Sequence, residues 1–334
     1  MNNKNEYDLY KIIKANYDIK GCIRDIKDIS LAGEKLTEHF KHFKELLLKD
    51  SYFEWDFCIE YFEKCNRAYH ISCNNINFYI LSEKAITKKA REHLYKSAYR
   101  VFLIKKLFDI KPTTQVFNYY ISMNPLKRKL PSKAGDVIGA ANINGGFTYV
   151  NSNNIYIVRK EDYEKVILHE LLHHHRDIHF EEWSNKNIKR IKNMCGIAGE
   201  QLLIPNEAII ETYAIILNVI FYSIENNMTF ADFKKVLAED REHNIAIVKK
   251  VLDKQGNNKW YEKTHAYCYI VLRAIFYNYF KEFAKIYRYN NDNDITSFIL
   301  MYFPKVLRKA KEYGRGNGNG RNNKYIKQTI FNNF

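Results

Sequence analysis

Apolar residues recur every three to four positions over 33–50, 52–69 and 82–108, and this spacing predicts three amphipathic helices in the first third of the chain. In the last of them Ser82 is the expected cap, and Leu94, Ala98, Val101 and Phe102 fall at helical intervals. The period changes after Lys111-Pro112-Thr113-Thr114. Val, Phe, Tyr and Ile dominate 115–123, a basic loop with Pro125 and Pro131 follows, and short strands are predicted near 136–141, 146–150 and 154–159. Helical spacing returns at 160–175 and holds from 186 to about 311. There Pro205 suits the first turn of a helix over 206–224, and Thr229 with Asp232 reads as a capping box for the next. The pattern predicts a mostly helical α+β chain in which a small mid-chain sheet, within 115–159, packs on the 160–175 helix. The expected organisation is a helical region over 1–111, a central domain over 112–311, and a flexible low-complexity tail over 312–334 that contains GRGNGNGRNN.

Composition narrows the picture. With 334 residues, 46% of them hydrophobic, and only five prolines and 13 glycines, the chain can bury a large core and is neither wholly disordered nor a turn-rich sandwich. The net charge of +15 raises the question of nucleic acid. It is discounted here, because Lys accompanies an excess of Asn, Ile, Tyr and Phe, the residues of AT-rich codons, and the lysines look scattered along helices. The composition points to an AT-rich source, a large DNA virus or a microbe. Cys22, Cys58, Cys65, Cys73, Cys195 and Cys268 form no CxxC pair and read as reduced, intracellular thiols. Cys58, Cys65, His70 and Cys73 lack the close pairing of a structural zinc site. Residues 1–20 hold no continuous apolar run, so no signal peptide is expected. The apolar stretches 208–224 and 266–280 read as buried helices, not membrane spans.

Five of the eleven histidines lie between 169 and 179, and the segment contains HExxH as His169-Glu170-Leu171-Leu172-His173. At about 100° per residue, His169 and His173 sit one helical turn apart and within about 40° of each other, so two imidazoles can reach one metal ion. Glu170 lies beside them, too far round to be a ligand on the same axis but able to take a proton from a metal-bound water. Ile167, Leu168, Leu171 and Leu172 form an apolar stripe that would pack this helix on the sheet. A catalytic zinc site needs one further protein ligand and an open position. Downstream, Asn206-Glu207-Ala208-Ile209-Ile210-Glu211 places two carboxylates one turn apart at the start of an apolar helix. One could bind the metal, and the other could accept a hydrogen bond from a liganding imidazole.

These residues resemble the gluzincin metallopeptidases, the thermolysin and aminopeptidase N type, in which HExxH is followed by an NExxxD or NExxxE helix. The matching positions are His169, Glu170, His173, Asn206, Glu207, Ala208 and Glu211. The resemblance implies a zincin-like core, a zinc ion held by His169, His173 and Glu207, Glu170 as general base, and Glu211 hydrogen-bonded to a ligand histidine. It also implies that the strand at 154–159, running into the HExxH helix, is the edge that pairs with extended substrate. The run 143–174 is similar to uncharacterised metallopeptidase-like proteins of large DNA viruses. The likeness covers about 137–224, and the 34-residue step from His173 to Glu207 is longer than in the thermolysin and aminopeptidase N families.

Glu211 and His179 are rival third ligands. His179 completes a three-histidine, metzincin-like spacing, but that motif turns at a glycine where this chain has Arg176. His174 could line a cleft, and His265 and Tyr267, entering the 266–280 helix, are the candidate oxyanion donors. The expected activity is zinc-dependent hydrolysis of a peptide or protein, with no other cofactor. Two other classes stay open: a zincin-fold binding protein with a degenerate site, and a basic nucleic-acid-binding protein with a coincidental HExxH.

Overall fold

The computed structural model describes residues 1, 4–21, 34–50, 54–110, 116–132, 136–149, 152–175, 178, 182–287, 291–316 and 325–331. The chain is mixed α+β, mostly helical, with one five-stranded sheet. It forms two compact units, each built from non-contiguous segments: one from 13–127, 139–176 and 331–334, the other from 1–12, 128–138 and 177–330.

The first unit holds the sheet. After α1 (Glu6–Asn16) come α2 (Glu34–Lys49) and α3 (Asp56–Lys64), then a hairpin of β1 (Arg67–Cys73) and β2 (Ile76–Ser82). α3 lies within the helix expected over 52–69, which ends at Lys64 so that 67–69 belong to β1, and the helix expected from Ser82 starts only at Lys88. Arg67–Cys73 alternates buried and exposed positions, and Asn74 takes the positive φ of 52° that the hairpin turn requires. Ser82 ends a strand instead of capping a helix. The cap of α4 (Lys88–Leu107) is Thr87, which accepts from the Ala90 N–H. β3 (Phe117–Ser122) follows. The strand expected at 136–141 is absent; Ile138 makes only an isolated bridge, and α5 (Ala140–Ile143) occupies the rest. β4 (Gly146–Thr148), β5 (Asn154–Ile157) and α6 (Tyr163–Leu172) complete the unit.

Strand order is β1-β2-β3-β5-β4, with β2, β3 and β5 parallel and β1 and β4 antiparallel to their neighbours. β5 is therefore interior, and the edge beside α6 is β4, which corrects the expectation that 154–159 is the free edge. Gly146 makes this placement workable. A Cβ there would meet the Tyr156 carbonyl oxygen at 2.6 Å and Val166 Cγ1 of α6 at 2.9 Å. One sheet face carries a stacked aromatic row, His70, Tyr79, Tyr120, Tyr156 and Phe147, with successive centroids 4.8, 5.3, 5.3 and 4.9 Å apart. Phe40, Phe43 and Phe62 of α2 and α3 join its core. The other face presents Phe117, Tyr119 and Ile121, all fully buried.

The second unit is helical: α7 (Asn185–Cys195), α8 (Pro205–Glu225), α9 (Phe230–Gln255), a π-helical turn (Cys268–Leu272) running into α10 (Arg273–Asn278), α11 (Phe280–Ile286) and α12 (Asp292–Gly316). Pro205 stands in the first turn of α8, and Thr229 with Asp232 forms the capping box of α9, as the sequence predicts. α8 is long and apolar enough by composition to cross a membrane. However, 83% of its most apolar window is buried among the other helices, the signature of a core helix. Tyr10 stacks on Phe233 of α9 at 4.4 Å, which ties the chain's first residues into this unit. The expected tail differs as well. α12 continues to Gly316, and Tyr325 and Ile326 pair with Lys129 and Arg128, leaving Ile326 fully buried; 317–324 lie outside the described residues.

Candidate active site

α6 begins after Asp162, which has a left-handed backbone, and it is buried along its whole length. It ends at Leu172, three residues earlier than expected. His173 keeps a helical conformation as the C-cap, so the one-turn relation to His169 survives. The two imidazole Nε2 atoms stand 3.3 Å apart. Two nitrogens bound to a tetrahedral zinc at about 2.0–2.1 Å are themselves separated by roughly 3.3 Å, so the pair fits that ion. His169 is buried and His173 half-buried, which leaves one side of the pair accessible.

Glu170 is buried on the same helix. Across from it stands Tyr119 of β3, a fully buried phenol whose hydroxyl has no hydrogen-bond partner among the described residues. Burial raises the Tyr119 pKa well above the usual phenol range, and the neighbouring Glu170 charge raises it further. The sequence reading missed this residue; the only signal for it was the strand alternation that sets Tyr119 on the face of Phe117 and Ile121. His174 reaches the edge strand, with Nε2 3.2 Å from the Thr148 hydroxyl and its ring edge-on to Phe117. His175 is buried. His179 and Arg176, on which the metzincin-like alternative turns, lie outside the described residues.

α6 is locked from behind. Glu164 takes a 2.8 Å hydrogen bond from Arg100 and a 2.9 Å contact from His93 Nδ1, both on α4, and Arg100 and Glu164 are buried. Burial alone would raise the Glu164 pKa. The Arg100 guanidinium and His93 outweigh it and hold the carboxyl below its ordinary value.

In the helical unit, Glu207 occupies the first turn of α8 and is half-buried, with its backbone N–H bonded to the Ile204 carbonyl at 3.0 Å. Its charge is felt by His265: burial lowers the His265 pKa, and the Glu207 carboxylate pulls it partly back. Glu207 and His265, both named from sequence, are thus brought together. Tyr267 is not part of this grouping. It is fully buried and its hydroxyl donates to the Cys195 carbonyl at 3.0 Å, which removes it as an oxyanion donor. Glu211, one turn deeper, is buried and faces the Arg273 guanidinium at 3.5 Å.

Among the described residues, His169, His173 and Glu207 make a set of donors that could hold a metal ion, two imidazoles and one carboxylate. The described cysteines are free thiols; Cys58, Cys73, Cys195 and Cys268 are buried and take no part in it. No protein-family model, curated protein or solved structure matches the chain.

Proposed function

We propose that the chain is a zinc-dependent metallopeptidase. The observation that carries the reading is the 3.3 Å separation of two buried or half-buried imidazole nitrogens on one helix, a spacing suited to a shared divalent cation. Glu207 completes the proposed ligand set, and the HExxH and NEAxxE spacing supports it. A zinc ion held there would supply Lewis acidity for the scissile carbonyl and for the attacking water. Glu170 takes the water's proton and returns it to the leaving amine, a relay favoured by its burial beside the ligand histidines. His265 is the proposed donor to the oxyanion. The short antiparallel edge β4 offers unpaired backbone groups to an extended peptide. Glu211, anchored on Arg273, would orient a ligand imidazole.

Metal analysis of the purified chain, set beside a peptide-library cleavage assay, tests this. One zinc per chain is expected, lost in the His169→Ala/His173→Ala variant. Glu170→Gln should keep the zinc and lose turnover by about a hundredfold or more. A metal-replete protein without zinc would overturn the reading.

A further inference from the structure

The lysines read as scattered along helices, yet the charge gathers toward one end of the sequence. From Lys305 to its last residue, Phe334, eight Lys and Arg stand against Glu312 alone, so the final 30 residues carry +7 of the total +15. The first four of these cations belong to the C-terminal half of α12, where Phe303, Val306 and Ala310 face inward and Lys305, Arg308, Lys309 and Lys311 are exposed. Two half-buried tyrosines lie against this stripe. Tyr279 and Tyr302 have ring centroids 4.3 Å apart. Lys305 Nζ stands 4.3 Å from the Tyr302 centroid and 5.8 Å from that of Tyr279, and Lys309 Nζ is 5.0 Å from Tyr279. Among the described residues Arg308 makes a long ion pair with Glu312, at 3.9 Å, with both partners largely exposed.

Such an arrangement joins the two features that hold a single nucleic-acid strand: cations spaced along a line for phosphates, and half-exposed aromatic rings whose open edges can meet bases, with Tyr302 packed on Phe298. A surface serving solubility alone would intersperse both signs. We propose that the α12 stripe with the Tyr279–Tyr302 pair binds single-stranded nucleic acid, through phosphate contacts to Lys305, Arg308, Lys309 and Lys311 and base contacts to the tyrosines. The surface lies wholly within the helical unit and is independent of the proposed peptidase chemistry. Partial burial lowers the Lys309 pKa, with Arg241 adding to the effect, as expected of an ammonium group crowded by rings and like charge.

α7 provides an internal control. It carries Lys186, Lys189 and Arg190, exposed on one helix, with no described aromatic pair set against them. The test is fluorescence anisotropy of the full chain with a labelled 20-nucleotide oligothymidine between 50 and 200 mM salt. Neutralising Lys305, Lys309 and Arg308 to Gln together should weaken binding at least thirtyfold and reduce the slope of log affinity against log salt by about 2, as loss of three phosphate contacts requires. Tyr302→Leu should weaken binding about tenfold at an unchanged salt slope. Neutralising the three α7 cations should cost less than threefold. Equal weakening by the α7 and α12 sets would overturn the proposal in favour of diffuse attraction. Inorganic polyphosphate or phosphatidylserine vesicles binding as tightly as the oligonucleotide would overturn it in favour of a general polyanion or membrane surface. The three α12 cations are exposed, so that arm stands even if Tyr302→Leu fails to fold.

Discussion

Two imidazole nitrogens 3.3 Å apart can share one proton between them, whereas a shared cation would make use of both lone pairs. That contrast makes the neighbouring carboxylates informative. Under the proposed assignment Glu207→Ala should cost zinc affinity more than a hundredfold, and Glu211→Ala about 10- to 100-fold, measured by competition with a chromogenic chelator. Equal and negligible effects would leave the histidine pair without its carboxylate partners. These residues were legible because a helix converts sequence spacing into angle, so HExxH and NEAxxE each specify a geometry before any tertiary contact is known. Tyr119 was not legible. A phenol on a strand has no local signature for what stands opposite it, and only the packing of β3 on α6 brings it to Glu170. Tyr267 failed for the same reason in reverse: Thr264-His265-Ala266-Tyr267 does not reveal that one side chain stays near Glu207 while the other turns into the core toward Cys195.

At the level of elements, helices with strong periodicity and marked ends were readable, α8 from Pro205 and α9 from Thr229 above all. The β1–β2 hairpin was lost because the helix expected over 52–69 ran three residues into β1, no element was assigned to 70–81, and the Asn74-Asn75 turn that separates the strands was passed over. That omission hid two of the five strands, the two on which α4 packs. What fixes α6 is a buried ion pair that sequence spacing does not reveal. The Arg100–Glu164 pair joins α4 to α6 with both partners almost fully buried, so removing one charge strands the other. Arg100→Met should therefore destabilise this unit by about 3–5 kcal/mol in urea unfolding. The double variant Arg100→Met/Glu164→Gln should recover a large part of that loss; no recovery would mean that the pair acts through packing alone.

Across the whole molecule, two buried carboxyls give opposite responses to pH. Glu164 has a depressed pKa in the folded state, so its contribution is full above the ordinary glutamate range near 4.3 and is lost as pH falls through the folded value. Glu262, in the helical unit, is pushed up to about 8 by burial, against the Tyr267 N–H, the Trp260 indole and the Ala266 N–H. Its contribution is full below about 4.3 and is lost as pH rises toward and through about 8. Denaturant midpoints followed by tryptophan emission should fall from pH 5 to pH 9, and Glu262→Gln should flatten that decline. An unchanged slope in the variant would place the alkaline sensitivity elsewhere. The interleaving of the two units has a further consequence, for how the chain is made. Tyr7 and Tyr10 find their partners in Phe230 and Phe233, more than 200 residues later, and Arg128 and Lys129 find theirs at Ile326 and Tyr325. Segments far apart in the sequence must therefore be present together before the helical unit can close. A polypeptide lacking the stretch around 325–330 leaves that unit unfinished, and no single proteolytic cut within 13–330 can release either unit whole.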